Sequence, residues 1–427
     1  MLHKVDIMNG HEKEYYAIAE VADILSVSKE TLRRWDEKGK LIPVRHPINN
    51  YRVYHRKQLF EFEEAHLMFK SLWDEELETK PLRSYRSIEL FAGAGGLALG
   101  LEKAGFEALL LNEIDKYACE TLKKNRPHWN VVQGDIKNID FTPYKNKIDF
   151  LSGGFPCQSF SYAGHKLGFE DARGTLFYEF ARAVKEAQPK VFLAENVRGL
   201  LNHDEGRTLA AIKSIISEIG YVLIAEPNIL KAMFYQVPQK RERLFFVGVR
   251  KDIFEKISSN DFQWPSPYKR IFTLRDALKQ GELYGCDVPE SAGQEYPKRK
   301  KEILDMVPQG GYWRNLPEDV QREYMLKSYF LGGGKTGMAR RLSYDEPSLT
   351  LTCAPAQKQT ERCHPVETRP LRVREYARIQ TFPDEWAFAG STTNQYKQIG
   401  NAVPVNLGYA MGRSLVRLLN RIEKLKL

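Results

Sequence analysis

The apolar positions of the chain follow three different rhythms, and these divide it into three zones. In the first, up to about residue 80, they recur at helical spacing over residues 18–25 and 29–38. Ser26-Val27-Ser28 lies between the two and can turn the chain and cap the second helix. That helix turns Leu32 and Trp35 inward and leaves Lys29, Arg33 and Arg34 outside. Residues 49–54 read as a hairpin, with Asn49-Asn50 at the turn and Tyr51, Val53 and Tyr54 as strand formers.

The second zone alternates short apolar runs with amphipathic stretches. Strands are predicted at 87–92, 108–112, 149–153, 190–195 and 243–250, and helices at 96–104, 115–125, 175–187 and 207–219. Such alternation specifies an α/β fold: a Rossmann-like, mainly parallel sheet with helices on both faces. Ligands of these sheets sit beyond the carboxyl ends of the strands. The third zone, 256–365, loses the alternation. It carries Pro265, Pro267, Pro289, Pro297, Pro308 and Pro317, the basic run Lys298-Arg299-Lys300-Lys301, and glycine clusters at Gly310-Gly311 and Gly332-Gly333-Gly334. It reads as an irregular module inserted in the scaffold. Helical patterns resume at 373–381 and 404–420. The expected domains are therefore 1–80, 81–255, 256–365 and a return to the second at 366–427.

Composition narrows the partners. The 427 residues hold 64 Lys plus Arg against 55 Asp plus Glu, a net charge of +9 that favours an anionic partner such as nucleic acid. Five cysteines at irregular spacing, none in a Cys-x-x-Cys pair, argue against a disulfide framework and a zinc site, so no metal is expected. The polar amino end is no signal peptide, and no run of 18 apolar residues could span a membrane. A cytoplasmic protein in a reducing compartment is expected.

Candidate chemistry gathers at the predicted strand ends. Ile88-Glu89-Leu90-Phe91-Ala92-Gly93-Ala94-Gly95-Gly96 runs from strand through glycine turn to helix, an arrangement that brings backbone N–H groups close to a ligand. Gly93-x-Gly95-x-x-Ala98 also fits the loose dinucleotide pattern, with Glu113 at the spacing of a ribose-binding acid. The turn alone leaves NAD, another nucleoside cofactor and tight packing all open. Asp135, in Gly134-Asp135-Ile136, is a candidate for an adenine amino group and equally for a helix cap. Leu151-Ser152-Gly153-Gly154-Phe155-Pro156-Cys157-Gln158 places a thiol in a polar turn at the end of an apolar strand, a poor position for core packing. Reaction there requires thiolate character. Glu195 ends the next strand, and Arg241 and Arg243 are expected on one face of the strand after it.

Five motifs in order resemble those of the DNA cytosine-5 methyltransferases: Phe91-Ala92-Gly93-x-Gly95-Gly96, Gly154-Phe155-Pro156-Cys157-Gln158, Glu195-Asn196-Val197, Gln239-x-Arg241-x-Arg243 and Gly400-Asn401-Ala402-Val403-Pro404. The likeness covers residues 86–255 and 366–412. It implies S-adenosylmethionine as cofactor, with S-adenosylhomocysteine as product, held by Phe91, Gly93, Gly95, Gly96, Glu113, Ile114, Asp135, Ile136 and Asn401. Ile114 stands where several relatives place a bulky aromatic. The resemblance further implies that Cys157, shaped by Pro156, attacks C6 of an extruded cytosine. Glu195 would protonate N3, and Arg241 and Arg243 would orient the base and loop. Gln158, Ser161 and Gln239 are expected to contact DNA.

The zone at 256–365 would then be the target-recognition region, with Tyr312-Trp313-Arg314, the Gly332 cluster and Arg340-Arg341 suited to a groove. Residues 14–65 resemble the winged helix-turn-helix domains of mercury-resistance-regulator-like and excisionase-like proteins, carried by Arg33-Arg34-Trp35 and Asn50-Tyr51-Arg52. Arg33, Arg34 and Arg52 are its expected DNA contacts. Double-stranded DNA is the expected partner, with a second DNA site through residues 1–80, for a monomer or homodimer in a bacterial restriction–modification system. An NAD-dependent oxidoreductase, and a transcriptional regulator with a vestigial catalytic body, are the competing readings.

Overall fold

A computed structural model describes residues 13–156 and 175–426. The chain forms two compact units, one from the residues up to Asp74 together with Ser266–Ile271, the other from Glu75–Pro265 and Phe272–Leu427.

In the smaller unit, β1 (Tyr15–Ala17), β2 (Val44–Arg45) and β3 (Arg52–His55) make an antiparallel sheet in the order β1-β3-β2. Helices α1 (Ile18–Ile24) and α2 (Lys29–Glu37) pack with it. Ser28 caps α2, its Oγ accepting from the Thr31 N–H at 2.9 Å. Leu32 is fully buried among Val21, Ile24, Leu41 and Tyr54, while Trp35 is half-buried and stacks on Phe62. Asn50 takes φ +57°, the left-handed backbone that the turn before β3 needs. Ile271, from the returning strip, packs on this core.

The larger unit is built on an eight-stranded sheet. Its strands are β4 (Tyr85–Leu90), β5 (Phe106–Glu113), β6 (Val131–Gln133), β7 (Phe150–Gly154), β8 (Val191–Asn196), β9 (Tyr221–Leu223), β10 (Asn228–Lys231) and, after the two-residue β11 (Gln239–Lys240), β12 (Glu242–Arg250). The order is β6-β5-β4-β7-β8-β12-β10, with β9 also on β12. β4 to β8 are parallel, and β12 runs antiparallel to its neighbours. From β4 the chain winds outward to β5 and β6, then crosses back to β7 on the other side. The carboxyl ends of β4 and β7 therefore flank the topological switch point, where open sheets of this kind bind ligands.

One face of the sheet buries Ile88, Leu90, Leu151, Phe177, Phe180, Phe192 and Phe246. The other buries Leu99, Leu111 and Leu122 together with Tyr376, Ile379, Phe382, Trp386 and Val405 from the returning carboxyl-terminal segment. The helix Gly96–Ala104 lies on the long helix Val405–Lys424 at glycine distance. A Cβ on Gly96 would stand 2.1 Å from the Val403 carbonyl oxygen, and one on Gly100 2.5 Å from that of Val405. The zone read as irregular holds two eight-residue helices, Lys298–Asp305 and Glu318–Met325. It also has its own apolar cluster of Leu304, Trp313, Val320, Met325, Met338 and Cys363. Among the described residues no helix is long and apolar enough to cross a membrane, and no group of side chains could hold a metal ion.

Candidate active site

The site is assembled at the carboxyl edge of the sheet. At the end of β4 the chain turns sharply: Phe91 takes φ +56° and Gly93 φ +54°, backbone that a side-chain-bearing residue holds only at a cost. The turn is tied to the next strand by the Gly93 N–H, which donates to Glu113 Oε2 at 2.7 Å. Glu113 Oε1 accepts from the Ile114 and Asp115 N–H groups at 2.9 and 2.8 Å. Beneath the turn Glu89, inside β4, accepts from the Ala98 N–H, a free donor at the start of the helix Gly96–Ala104.

The backbone is open at two of these turns. A Cβ on Gly93 or on Gly134 would meet nothing within 4 Å. The half-buried ring of Phe91, the 67% exposed side chain of Ile114 and the half-buried carboxyl of Asp135 lie at the ends of the three neighbouring strands β4, β5 and β6. Apolar surface and a carboxylate suit an adenosyl ligand. Asp135 also caps its own turn, Oδ1 accepting from the Lys137 N–H at 3.0 Å. Ile136 is 3% exposed and belongs to the core, because the turn that caps on Asp135 folds it inward. Gly96 makes room for the Val403 carbonyl.

The reactive side of the edge lies at β7, β8 and β12. Gly154 pairs in register with Glu195, and a Cβ on Gly154 would stand 2.6 Å from Glu195 Oε2. The missing side chain leaves room for that carboxyl above the strand end. Arg243 Nε meets Glu195 Oε1 at 2.5 Å, with both side chains largely buried. Asn196 Nδ2 donates to the Phe155 carbonyl at 2.9 Å, and its Oδ1 accepts from the Val197 N–H. Nothing in the sequence singled out that tie, which fixes the chain just ahead of Pro156. Pro156 is exposed. Cys157, Gln158 and Ser161 lie outside the described residues. Cys119 and Cys363 are buried, and burial pushes both thiols up to about 11.

The expectation that Arg241 and Arg243 share a strand face fails, since the strand is interrupted at Arg241, between β11 and β12. Arg243 turns to Glu195. Arg241 turns inward and is 2% exposed, its guanidinium donating to the carbonyls of Leu351, Gly400 and Asn401 at 3.3, 3.0 and 3.4 Å. Burial, with the Arg243 cation nearby, pushes its pKa down. Its guanidinium is spent on these three carbonyls, away from solvent. Gln239 is also fully buried, bonded to Gln380 and to the Leu351 N–H, so it presents no amide to a DNA groove. Trp313 and Arg341 likewise face inward, in the cluster of the third zone and on the Leu304 carbonyl respectively. In the smaller unit Arg33 and Arg34 are exposed on α2, Arg33 paired with Glu30 at 2.8 Å, and Arg52 pairs with Asp36 at 3.0 Å.

This geometry agrees with what the chain is similar to. Residues 85–417 match the model of the C-5 cytosine-specific DNA methylases, and residues 18–54 match that of the MerR family regulatory proteins. The chain is 68% identical over 412 residues to the Type II methyltransferase M.Eco47II of Escherichia coli, covering 96% of this chain and 98% of that one. It is 60% identical over 410 residues to the Type II methyltransferase M.PspPI of Psychrobacter sp. (strain TA137), covering 96% and 98%. The solved structure of a Spodoptera frugiperda DNMT2 mutant shares the fold at 16% identity, with a TM-score of 0.51, covering 79% of this chain and 99% of that one.

The chain belongs to the C-5 cytosine-specific DNA methylase family. It is an S-adenosylmethionine-dependent DNA cytosine-5 methyltransferase carrying an amino-terminal MerR-like helix-turn-helix. The oxidoreductase reading of the glycine turn is thereby set aside.

Proposed function

We propose that the chain is the modification enzyme of a bacterial type II restriction–modification system, working in the cytoplasm on one short duplex site. The observation that carries this reading is the shared sheet edge. There the Glu195–Arg243 pair lies over Gly154, beside the Phe155-Pro156 step that leads into Cys157, and the Gly93–Glu113 turn lies at the ends of the adjoining strands.

A base stacked in a duplex cannot reach that edge, so the target cytosine is swung out of the helix, at an unstacking cost of about a few kcal/mol. Cys157 adds to C6 and Glu195 delivers a proton to N3, which turns C5 into a nucleophile. Phe91, Gly93, Glu113, Asp135 and Asn401 would hold S-adenosylmethionine, which would supply the methyl group. Loss of the C5 proton to a base, departure of Cys157 as the thiolate and return of the N3 proton to Glu195 restore the aromatic ring. Arg243 holds the Glu195 carboxyl in place, and Asn196 holds the start of the Cys157 loop.

Residues 256–365 serve target recognition. Leu326, Phe330 and Leu331 are well exposed beside the Gly332 cluster, Phe330 at 77%, and their apolar tip suits contact with base edges in a groove. The exposed Arg33 and Arg34 on α2 support a second DNA contact through the smaller unit.

The test is base-resolution mapping of methylation in DNA from cells expressing the chain. The expected result is 5-methylcytosine at a single short sequence, with Cys157→Ser abolishing it and DNA containing 5-fluorocytosine trapping a covalent adduct on Cys157. Methylation at N4 of cytosine or N6 of adenine would overturn the reading.

A further inference from the structure

Arg241 and Gln239, both buried, together grip the backbone of one residue. The Leu351 N–H donates to Gln239 Oε1 at 3.0 Å, and the Leu351 carbonyl accepts from Arg241 at 3.3 Å. The other ends of the same side chains reach the turn that closes the helix Thr392–Asn401. Arg241 donates to the carbonyls of Gly400 and Asn401. Gln239 Nε2 donates to Gln380 Oε1 at 2.8 Å, and Gln380 Nε2 donates to the carbonyls of Ile399 and Ala402 at 2.7 and 3.1 Å.

The last carbonyls of a helix have no partner within it and carry its negative pole, so a buried cation and a buried amide are the groups that satisfy them. The two backbones also meet directly. A Cβ on Gly400 would stand 2.3 Å from the Thr352 carbonyl oxygen and 3.0 Å from the Cys353 nitrogen. At the open rim of this clasp the exposed Cys353 thiol donates to Asn401 Oδ1 at 3.2 Å.

We propose that residues 350–353, at the end of the target-recognition zone, position Asn401 for the cofactor through this clasp, with Cys353 as the positioning residue that fixes the Asn401 side chain. The inference rests on the reading that Asn401 holds S-adenosylmethionine. Residues 350–353 thus set cofactor affinity from within the part of the chain otherwise given to reading DNA. Because Cys353 is exposed, its replacement leaves the buried part of the clasp intact.

The experiment is calorimetric binding of S-adenosylhomocysteine to the full chain without DNA, with steady-state kinetics alongside. A thiol is a weak donor, and its lost hydrogen bond corresponds to a rise in Kd of about two- to threefold for Cys353→Ala. That rise should appear in the KM for S-adenosylmethionine rather than in kcat. Cys353→Ser, which keeps a donor, should recover most of the loss, and the Cys353→Ala/Asn401→Ala pair should bind no worse than Asn401→Ala alone. Binding by Cys353→Ala equal to that of the unaltered chain, while Asn401→Ala binds weakly, would overturn the inference and spare the cofactor reading. Unaltered binding by Asn401→Ala would remove the cofactor role of Asn401 and the inference with it. A Cys353→Ala defect confined to the KM for DNA would also overturn it.

Discussion

Arg243 Nε lies 2.5 Å from Glu195 Oε1, and the two come from antiparallel neighbours, β12 and β8. The pair fixes the direction of the Glu195 carboxyl over the open space at Gly154. Arg243→Ala is expected to lower kcat on the order of a hundredfold, the usual worth of a positioned proton donor. S-adenosylhomocysteine affinity should stay within about twofold. Single-turnover kinetics together with calorimetry check both parts.

Glu89 gives the molecule a pH signature. Burial pushes its carboxyl from 4.5 up to about 8, with the nearby Glu113 charge adding to the rise and the Ala98 N–H opposing it. Between those two values the folded chain keeps a proton that the unfolded chain has released. The associated stability is fully present below about pH 4.5 and is lost as pH rises through about 8. Glu89→Gln cannot ionise. Its melting temperature should gain on that of the unaltered chain by roughly 5 °C between pH 5 and pH 8.5. Scanning calorimetry at the two pH values reads it, and parallel curves would refute the assignment.

Gly96 is a packing glycine. Gly96→Ala would place a methyl group against the Val403 carbonyl oxygen. Overpacking of this kind costs about 1–3 kcal/mol, measurable as a lowered urea midpoint with an unchanged slope. S-adenosylhomocysteine binding by the folded fraction should fall much less than it does for Glu113→Ala.

The exposed arginines of α2 should act through phosphates. Arg33→Ala and Arg34→Ala are each expected to weaken binding to duplex DNA of any sequence and to flatten the salt dependence by about one unit of logarithmic slope. Fluorescence anisotropy across a salt series tests this. Equal slopes for the altered and unaltered chains would assign the smaller unit to protein contacts instead.

The scaffold was largely legible because its boundaries are set by local chemistry. The helix 115–125 begins where Asp115 accepts from the Tyr117 and Ala118 N–H groups, and the helix 176–187 where Thr175 accepts from Tyr178. Both caps belong to residue types whose side chains reach back to the backbone. Three-residue strands such as β1 and β9 are too short to show a period. The helix Lys298–Asp305 opens with a basic run that masks its apolar stripe. Gln239 was misread for a different reason. A glutamine near a strand start ordinarily faces solvent, and the partners that bury it, Leu351 and Gln380, lie 112 and 141 residues further along. Arg241 was misread because alternation holds only while a strand continues, and this one breaks at that residue. The Glu195–Arg243 half of the site needs only neighbouring strands and was visible. The clasp needs three distant segments and was not.

The strip Ser266–Ile271 belongs to the smaller unit although the whole stretch Glu75–Pro265 of the larger one comes before it. Trimming the gene after codon 74 would therefore remove most of a small core and strand Ile271, an apolar side chain that normally packs there. An aggregating product from such a truncation would reveal nothing about DNA. The amino-terminal unit is better probed by point changes on its surface than by the scissors.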